Sequence, residues 1–134
     1  MKKGIINIFI GVLCIVGVVF IYLYYQSSDE LPQLTKEEVE SVVMNKIDTG
    51  EEINLDIAQF VEYYNQISDV EENEEGAGTM ITVEIKVNLK SGEKISVGHS
   101  GDQFEVSLED EQGKVEQYWG KQQNINNLLM TGKY

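Results

Sequence analysis

The stretch VGHSGDQF, residues 97–104, contains the residue types of a serine hydrolase. His99, the only histidine of the chain, stands beside Ser100, and Asp102 follows closely. A nucleophile elbow needs glycines on both sides of the serine, as in G-x-S-x-G, and then a helix. Here Asp102 replaces the second glycine, and the residues after it alternate like a strand. On an extended segment the neighbouring His99 and Ser100 side chains also diverge. We therefore predict a hairpin turn at Ser100 and Gly101, and no catalytic residues.

Metal ligands are scarce as well. One histidine and one cysteine, Cys14, are too few for ordinary zinc ligation. Residues 69–75 and 109–111 carry clustered carboxylates, but neither stretch has the D-x-[DN]-x-[DN]-G spacing of a calcium loop. No glycine-rich loop is placed to hold a phosphate. We predict no metal site and no cofactor, and nothing singles out a carboxylate pair for acid–base chemistry.

Aromatic side chains are the remaining candidates, because exposed tyrosine and tryptophan often anchor partner contacts. Tyr118 and Trp119 end the last predicted strand. Tyr63 lies beside Tyr64 on a predicted helix, where adjacent residues diverge by about 100°. We consider Tyr63, Tyr118 and Trp119 as candidate partner contacts; for Trp119, core packing or a covered sheet edge is the favoured alternative.

A long apolar run lies near the amino terminus. Residues 4–25 comprise 22 uncharged residues, and at about 1.5 Å per residue such a helix crosses a hydrocarbon core roughly 30 Å thick. The run is longer than the apolar part of a cleaved signal peptide, and no A-x-A-like site follows it. Bulky residues before Cys14 argue against a lipobox. We predict an uncleaved anchor in residues 1–25 and a stalk in residues 26–34.

The flanks of this run predict its orientation. Lysines precede it and acidic residues follow it, so the positive-inside rule places the amino terminus in the cytoplasm and residues 35–134 outside the cell. The predicted localisation is the cell membrane, with a single span. Aromatic rings favour the membrane–water interface. The predicted membrane-interface residues are Lys2, Lys3, Tyr22, Tyr24 and Tyr25.

The charge balance narrows the choice of partners. The chain holds 10 lysines, no arginine and 23 acidic residues, with a formal net charge of −13. Nucleic-acid binding needs a basic footprint that displaces counterions, so no nucleic-acid partner is predicted. A strongly negative domain stays soluble and attracts cations or basic peptides.

Two segments after the stalk show helical periodicity. Residues 35–48 begin with Thr35 and Glu38 in capping-box spacing, and residues 53–67 contain Asp56 as an N-cap. The apolar stripes consist of Val39, Val42, Val43 and Ile47 in the first helix, and of Ile57, Phe60, Val61 and Tyr64 in the second. Residues 69–78 are predicted to form an acidic loop.

The pattern then changes to the period of two that is typical of strands. Glycines separate four such segments. A short apolar stripe in residues 121–132 predicts a terminal helix. We predict an α+β fold: a transmembrane helix, then a small domain with a four-stranded antiparallel meander covered on one face by helices. The predicted strand segments are residues 79–90, 91–98, 102–110 and 113–119.

The segments VEIKVNLKSGEKISV, FEVSL and YWGKQQNINNLL resemble small, largely uncharacterised, membrane-anchored proteins of low-GC Gram-positive bacteria. Those proteins have a similar plan of anchor, short helices and a strand meander that ends in a Tyr-Trp segment and a helix. The resemblance covers most of residues 35–134 and rests on pattern. It implies no activity and no site residues.

The lack of a catalytic constellation predicts a non-enzymatic binding or regulatory module at the cell envelope, with another membrane or envelope protein as its partner. One alternative is a capture or immunity domain that binds a cationic peptide or a divalent cation, which the negative charge favours. The other is an enzyme that uses a carboxylate pair in a cleft.

Overall fold

The computed structural model describes residues 14–19, 30–74, 81–100 and 103–132. The chain divides into two compact units, Met1–Glu30 and Leu31–Tyr134. In the first unit, residues 14–19 are helical.

The structure corrects the prediction of a single-pass membrane protein. Across the described residues, no helix is both long enough and apolar enough to span a membrane. The transmembrane helix, and the cell-membrane localisation and external orientation inferred from it, are therefore wrong. The predicted interface residues Lys2, Lys3, Tyr22, Tyr24 and Tyr25 lie outside the described residues.

The described part of the second unit is a seven-stranded antiparallel sheet with two short helices. The strand order is β2-β1-β4-β5-β6-β7-β3. The predicted α+β fold with four strands is therefore wrong, because the domain is mostly sheet. Its elements are β1 (Val39–Lys46), β2 (Glu51–Asn54), α1 (Ile57–Tyr64), β3 (Ser68–Glu72), β4 (Val83–Leu89), β5 (Lys94–Ser100), β6 (Gln103–Glu109), β7 (Val115–Lys121) and α2 (Gln123–Thr131).

The predicted meander forms the middle of this sheet, where β4 to β7 pair in sequence order. Alternation decides which side chains face the core: Val83, Ile85 and Val87 of β4 are all buried. Two of the turns require glycine, since Gly92 and Gly113 have φ values of 99° and 83°.

The first predicted helix is a strand instead. Its capping-box turn exists, since the Glu38 carboxylate accepts the Thr35 N–H at 3.0 Å. After this turn, β1 pairs with β2 and β4. A bulge between Val39 and Ser41 adds one residue, so Val39 and Val42 are both buried on the same face. A spacing of three is also typical of the apolar stripe of a helix. Strand pairing of the β-branched residues with β2 and β4 determines the structure here instead.

The predicted acidic loop contains the edge strand β3, which pairs Glu71 with Trp119 and Glu72 with Tyr118. The strand lacks an apolar alternation because four of its five residues are exposed. Its register shifts near Asp69, whose φ is 52°. Periodicity could not find a strand that buries so little.

Both helices contribute to a core on one face of the sheet, here called the core face. The second predicted helix is confirmed over Ile57–Tyr64, although residues 53–54 of the predicted segment belong to β2. Asp56 Oδ1 caps α1 by accepting the Gln59 N–H at 2.8 Å, and Phe60, Val61 and Tyr64 are buried. The terminal helix is confirmed as well. The core consists of Leu31, Leu34, Val39, Val42, Met44, Leu55, Phe60, Val61, Tyr64, Val83, Ile85, Val87, Ile95, Val97, Phe104, Val106, Ile125 and Leu129.

Candidate functional site

The histidine-serine stretch forms part of a hairpin, as predicted, but Ser100 is the last residue of β5 and not part of the turn. Strands β5 and β6 pair with Ser100 opposite Gln103, and a strand rather than a helix follows the serine. Gly101 and Asp102 lie outside the described residues. His99 pairs with Phe104 and so faces the core, where its Nε2 is buried without a hydrogen-bond partner among the described residues. Because a strand follows the serine, the arrangement is not a nucleophile elbow.

The acidic stretches do not converge on a metal position. Within the ranges that the structure describes, no group of three or more His, Cys, Asp or Glu residues is placed to hold an ion. Asp110 closes the turn between β6 and β7, where Oδ1 accepts the N–H groups of Gln112 at 2.9 Å and Lys114 at 2.8 Å. This carboxylate therefore serves the turn.

The three aromatic candidates lie apart from one another. Tyr63 is half-buried on α1 and packs against the core. Tyr118 lies on the core face, and its hydroxyl donates to Glu116 Oε2 at 3.1 Å. Trp119 lies on the opposite face, where it pairs with Glu105. The structure therefore does not bring Tyr118 and Trp119 onto one surface.

A groove of about 580 Å³ opens at one end of the core face. Its floor consists of Leu89, Ile95 and Leu108, which come from three neighbouring strands. Ile95 is opposite Leu108 in the sheet and belongs to the core, whereas Leu89 and Leu108 are only half-buried. The apolar row of the core thus continues into a surface that is open to solvent.

Three segments surround this floor: residues 32–38, here called the wall, the hairpin between β4 and β5, and the turn between β6 and β7. The wall joins the hairpin through the Lys90 N–H, which donates to the Glu38 carbonyl at 2.9 Å. At its other end Leu34 is buried in the core. Segments distant in sequence therefore form one concave surface.

The rim of the groove carries more negative than positive groups. Lys114 donates to Glu116 at 2.9 Å, and Ser91 Oγ donates to Glu93 at 2.9 Å. Glu37 has only a distant, exposed contact with Lys36 at 4.0 Å. Glu109 and Lys94 also border the groove, but they pair with each other next to Leu108 and Ile95, so alternation directs their side chains to the opposite face. The rim contains the carboxylates of Glu37, Glu38, Glu93, Asp110 and Glu116 and the ammonium groups of Lys90 and Lys114.

The pair at the rim stays ionic near neutral pH. The hydrogen bond from Lys114, followed by that from Tyr118, lowers the pKa of Glu116 below its ordinary value. The hydrogen bond to Glu116 in turn raises the pKa of Lys114. Both shifts favour the charged forms, so this part of the rim presents fixed charges and not an exchangeable proton.

A second polar cluster lies on the opposite face of the sheet. Glu105 is 6% exposed and Asn73 is 8% exposed. Glu105 Oε2 accepts a hydrogen bond from Asn73 Nδ2 at 3.0 Å, and Oε1 accepts one from Gln117 Nε2 at 3.0 Å. The Ser107 hydroxyl also donates to Oε1, at 3.4 Å. The Glu105 carboxylate is therefore buried and accepts hydrogen bonds at both oxygens, which is typical of a carboxylate with a structural role.

Sequence reasoning did not single out the groove residues. Leu89 and Leu108 fall within the predicted strand segments 79–90 and 102–110, and each continues the apolar face of its strand. That solvent reaches them depends on the placement of the wall and the turns, for which no local pattern exists. The only usable signal was that the apolar alternation runs to the strand ends.

No model of a known protein family matches the chain, and no curated protein or solved structure is significantly similar to it. The resemblance to membrane-anchored proteins of Gram-positive bacteria therefore stays a prediction. The groove is therefore the feature from which we infer a function.

Proposed function

We propose that the unit Leu31–Tyr134 is a non-enzymatic binding module whose groove holds a cationic peptide segment with apolar side chains. The observation that carries this proposal is an apolar floor, open to solvent, beneath a rim on which five carboxylates accompany two ammonium groups. The volume of about 580 Å³ lies within the usual range of binding pockets. The net charge of −13 adds long-range attraction for a basic partner.

Magnitudes decide what each part of the groove contributes. Full burial of one leucine-sized side chain contributes about 1.5–3 kcal/mol, whereas an exposed ion pair contributes about 0–1 kcal/mol. The floor should therefore supply most of the affinity, and the rim should select the sign of the partner and speed its approach. With one or two apolar anchors, a dissociation constant in roughly the micromolar to millimolar range is expected.

Binding is better supported than acid–base catalysis. The groove does contain carboxylates, but Asp110 closes a turn and Glu116 is held ionised by Lys114. A general acid near neutral pH needs a raised pKa, which is the opposite of the shift at Glu116. A peptide is also favoured over a divalent cation, because the described residues contain no cluster suited to a metal.

The test uses three fluorescent peptides of nine residues and the full chain. The first alternates lysine with leucine, the second lysine with serine, and the third glutamate with leucine. Fluorescence anisotropy should show binding of the lysine–leucine peptide, at least about tenfold weaker binding of the lysine–serine peptide and none of the glutamate–leucine peptide.

Salt provides a second axis for the same test. Raising the ionic strength from about 0.1 to 1 M shortens the screening length from about 10 to 3 Å. Binding of the lysine–leucine peptide should weaken accordingly, without disappearing, because the apolar contact persists. Equal affinity for the lysine–leucine and lysine–serine peptides would refute the proposed role of the floor.

A further inference from the structure

The wall of the groove is not a strand. Residues 31–35 have no regular structure, and residues 36–38 form a turn before β1 begins. At its carboxyl end the wall is joined to the sheet by the bond between Lys90 N–H and the Glu38 carbonyl. The opposite end of the wall is not part of the sheet, so other contacts must hold it. Without such contacts the groove would have no defined width.

The burial of Leu34 in the core holds that end, and one side chain adds a polar connection to it. Asn65 Oδ1 accepts the Leu34 N–H at 2.9 Å, and Asn65 Nδ2 donates to the Leu34 carbonyl at 2.9 Å. The asparagine thus binds both polar groups of one backbone residue, as a neighbouring strand would. Asn65 caps the carboxyl end of α1 through its backbone, and α1 is anchored in the core by Phe60 and Tyr64.

Asn65 itself does not line the groove, whereas Leu34 does. Glu37, one of the rim carboxylates, lies on the wall between the Leu34 and Glu38 attachments. Loss of the asparagine bonds would therefore leave the identity of every lining residue unchanged, and it would loosen one side of the groove by leaving only the burial of Leu34 to hold it. A preformed wall spares a ligand the entropic cost of ordering it.

We propose that Asn65 is a positioning residue for the groove: its paired bonds to Leu34 hold the wall at the width that the cationic peptide requires. This inference rests on the proposed function of the groove. By linkage, a bound peptide should in turn stabilise the bonds between Asn65 and Leu34.

The experiment compares Asn65→Ala with Asp56→Ala. The second variant removes the N-cap of the same helix and so destabilises α1 without touching the wall. Asn65→Ala should bind the lysine–leucine peptide about fivefold more weakly or worse, while Asp56→Ala binds as the parent protein does. Asn65→Asp keeps the acceptor for the Leu34 N–H and loses the donor, so its affinity should be intermediate. All three are measured at a temperature where circular dichroism shows them folded.

Amide hydrogen exchange measures the protection that the hydrogen bond from the Leu34 N–H to Asn65 provides. The Leu34 amide should exchange faster in Asn65→Ala than in Asp56→Ala, the Lys90 amide should be unchanged, and saturating peptide should slow Leu34 exchange in the parent protein. If the parent binds the peptides without preferring leucine, the proposed function fails, and this inference with it. If the parent shows that preference but Asn65→Ala binds as tightly as Asp56→Ala, only the role of Asn65 is overturned.

Discussion

The two faces of one sheet use carboxylates in opposite ways. On one face, Glu105 is buried and receives hydrogen bonds from Asn73 and Gln117. At the groove on the other face, the Glu37 carboxylate has only an exposed contact with Lys36, at 4.0 Å. A buried polar group with its full set of donors stabilises a fold. A carboxylate with so weak a contact, at the rim of an open apolar floor, is instead available to a ligand. The comparison predicts that changes on the first face alter stability and changes at the groove alter binding.

Glu105→Ala should have the largest effect. It leaves the buried Asn73 amide and the Gln117 amide without their acceptor, which should lower the free energy of unfolding by about 3 kcal/mol. Urea denaturation measures this loss. The matched control is Glu84→Ala on the same face, where the one ion-pair partner among the described residues is the exposed Lys86, at 3.6 Å. Its effect should stay within about 0.5 kcal/mol. A folded Glu105→Ala should bind the lysine–leucine peptide as the parent does.

Leu108→Ser should show the reverse. Removing a leucine from the floor should weaken peptide binding about tenfold, whereas its half-buried position limits the stability loss to about 1 kcal/mol. Ile47→Ser is the control, since Ile47 is 55% exposed and lies outside the groove. Anisotropy and urea denaturation on the same samples separate the two quantities. An unchanged affinity in Leu108→Ser would contradict the assignment of the floor.

Tyr64 contrasts with Glu105, because Tyr64 is also buried but its hydroxyl has no partner among the described residues. Burial, with a smaller contribution from Tyr118, raises the pKa of Tyr64. The folded chain therefore keeps this proton at a pH where the unfolded chain releases it. Above the ordinary tyrosine value of about 10, the residue should reduce stability by up to about 1.4 kcal/mol per pH unit.

Tyr64→Phe should abolish this alkaline loss and, at neutral pH, change stability by less than about 1 kcal/mol. Thermal or urea unfolding of both proteins from pH 7 to 11 measures the difference between their free energies of unfolding. The contributions of other titrating groups cancel in this difference, because both proteins contain them. A parallel decline in the two proteins would show that the Tyr64 hydroxyl is not held neutral by burial.

Lys114→Gln should have the smallest effect. Lys114 Nζ forms an ion pair with Glu116 Oε1 at 2.9 Å, and a cationic ligand has to compete with this lysine for the carboxylate. Freeing the carboxylate should tighten binding of the lysine–leucine peptide by about twofold, as is typical of exposed pairs. Lys86→Gln, on the opposite face, removes the same charge at a distance from the groove and should have less effect. Weaker binding by Lys114→Gln would be inconsistent with an acidic rim that recruits cations.

Local pattern was sufficient for the parts of the fold that bury a regular face. Alternation located β4 to β7, and the Asp56 cap with its apolar stripe located α1. Pattern failed at β1, where the bulge beside Val39 produced a helical spacing, and at β3, which buries too little to show a period. Hydropathy likewise suggested a membrane helix that the described residues do not contain.

The groove could be predicted only in part. Leu89 and Leu108 follow from alternation, but the wall that faces them depends on contacts such as the one between Leu34 and Asn65, which are 31 positions apart. No local signal reports such a distant pairing. The same holds for Glu105 and Asn73, whose side chains meet across 32 positions.

The most direct test of the groove is a titration of the isotope-labelled full chain with the lysine–leucine peptide, followed by amide chemical shifts. We expect the perturbed amides to cluster at Leu34, Leu89, Lys90, Leu108 and Glu109, and the amide shifts of Glu105, Gln117 and Trp119 to remain unchanged. Perturbations concentrated on the face of Glu105, or spread evenly over the sheet, would contradict it.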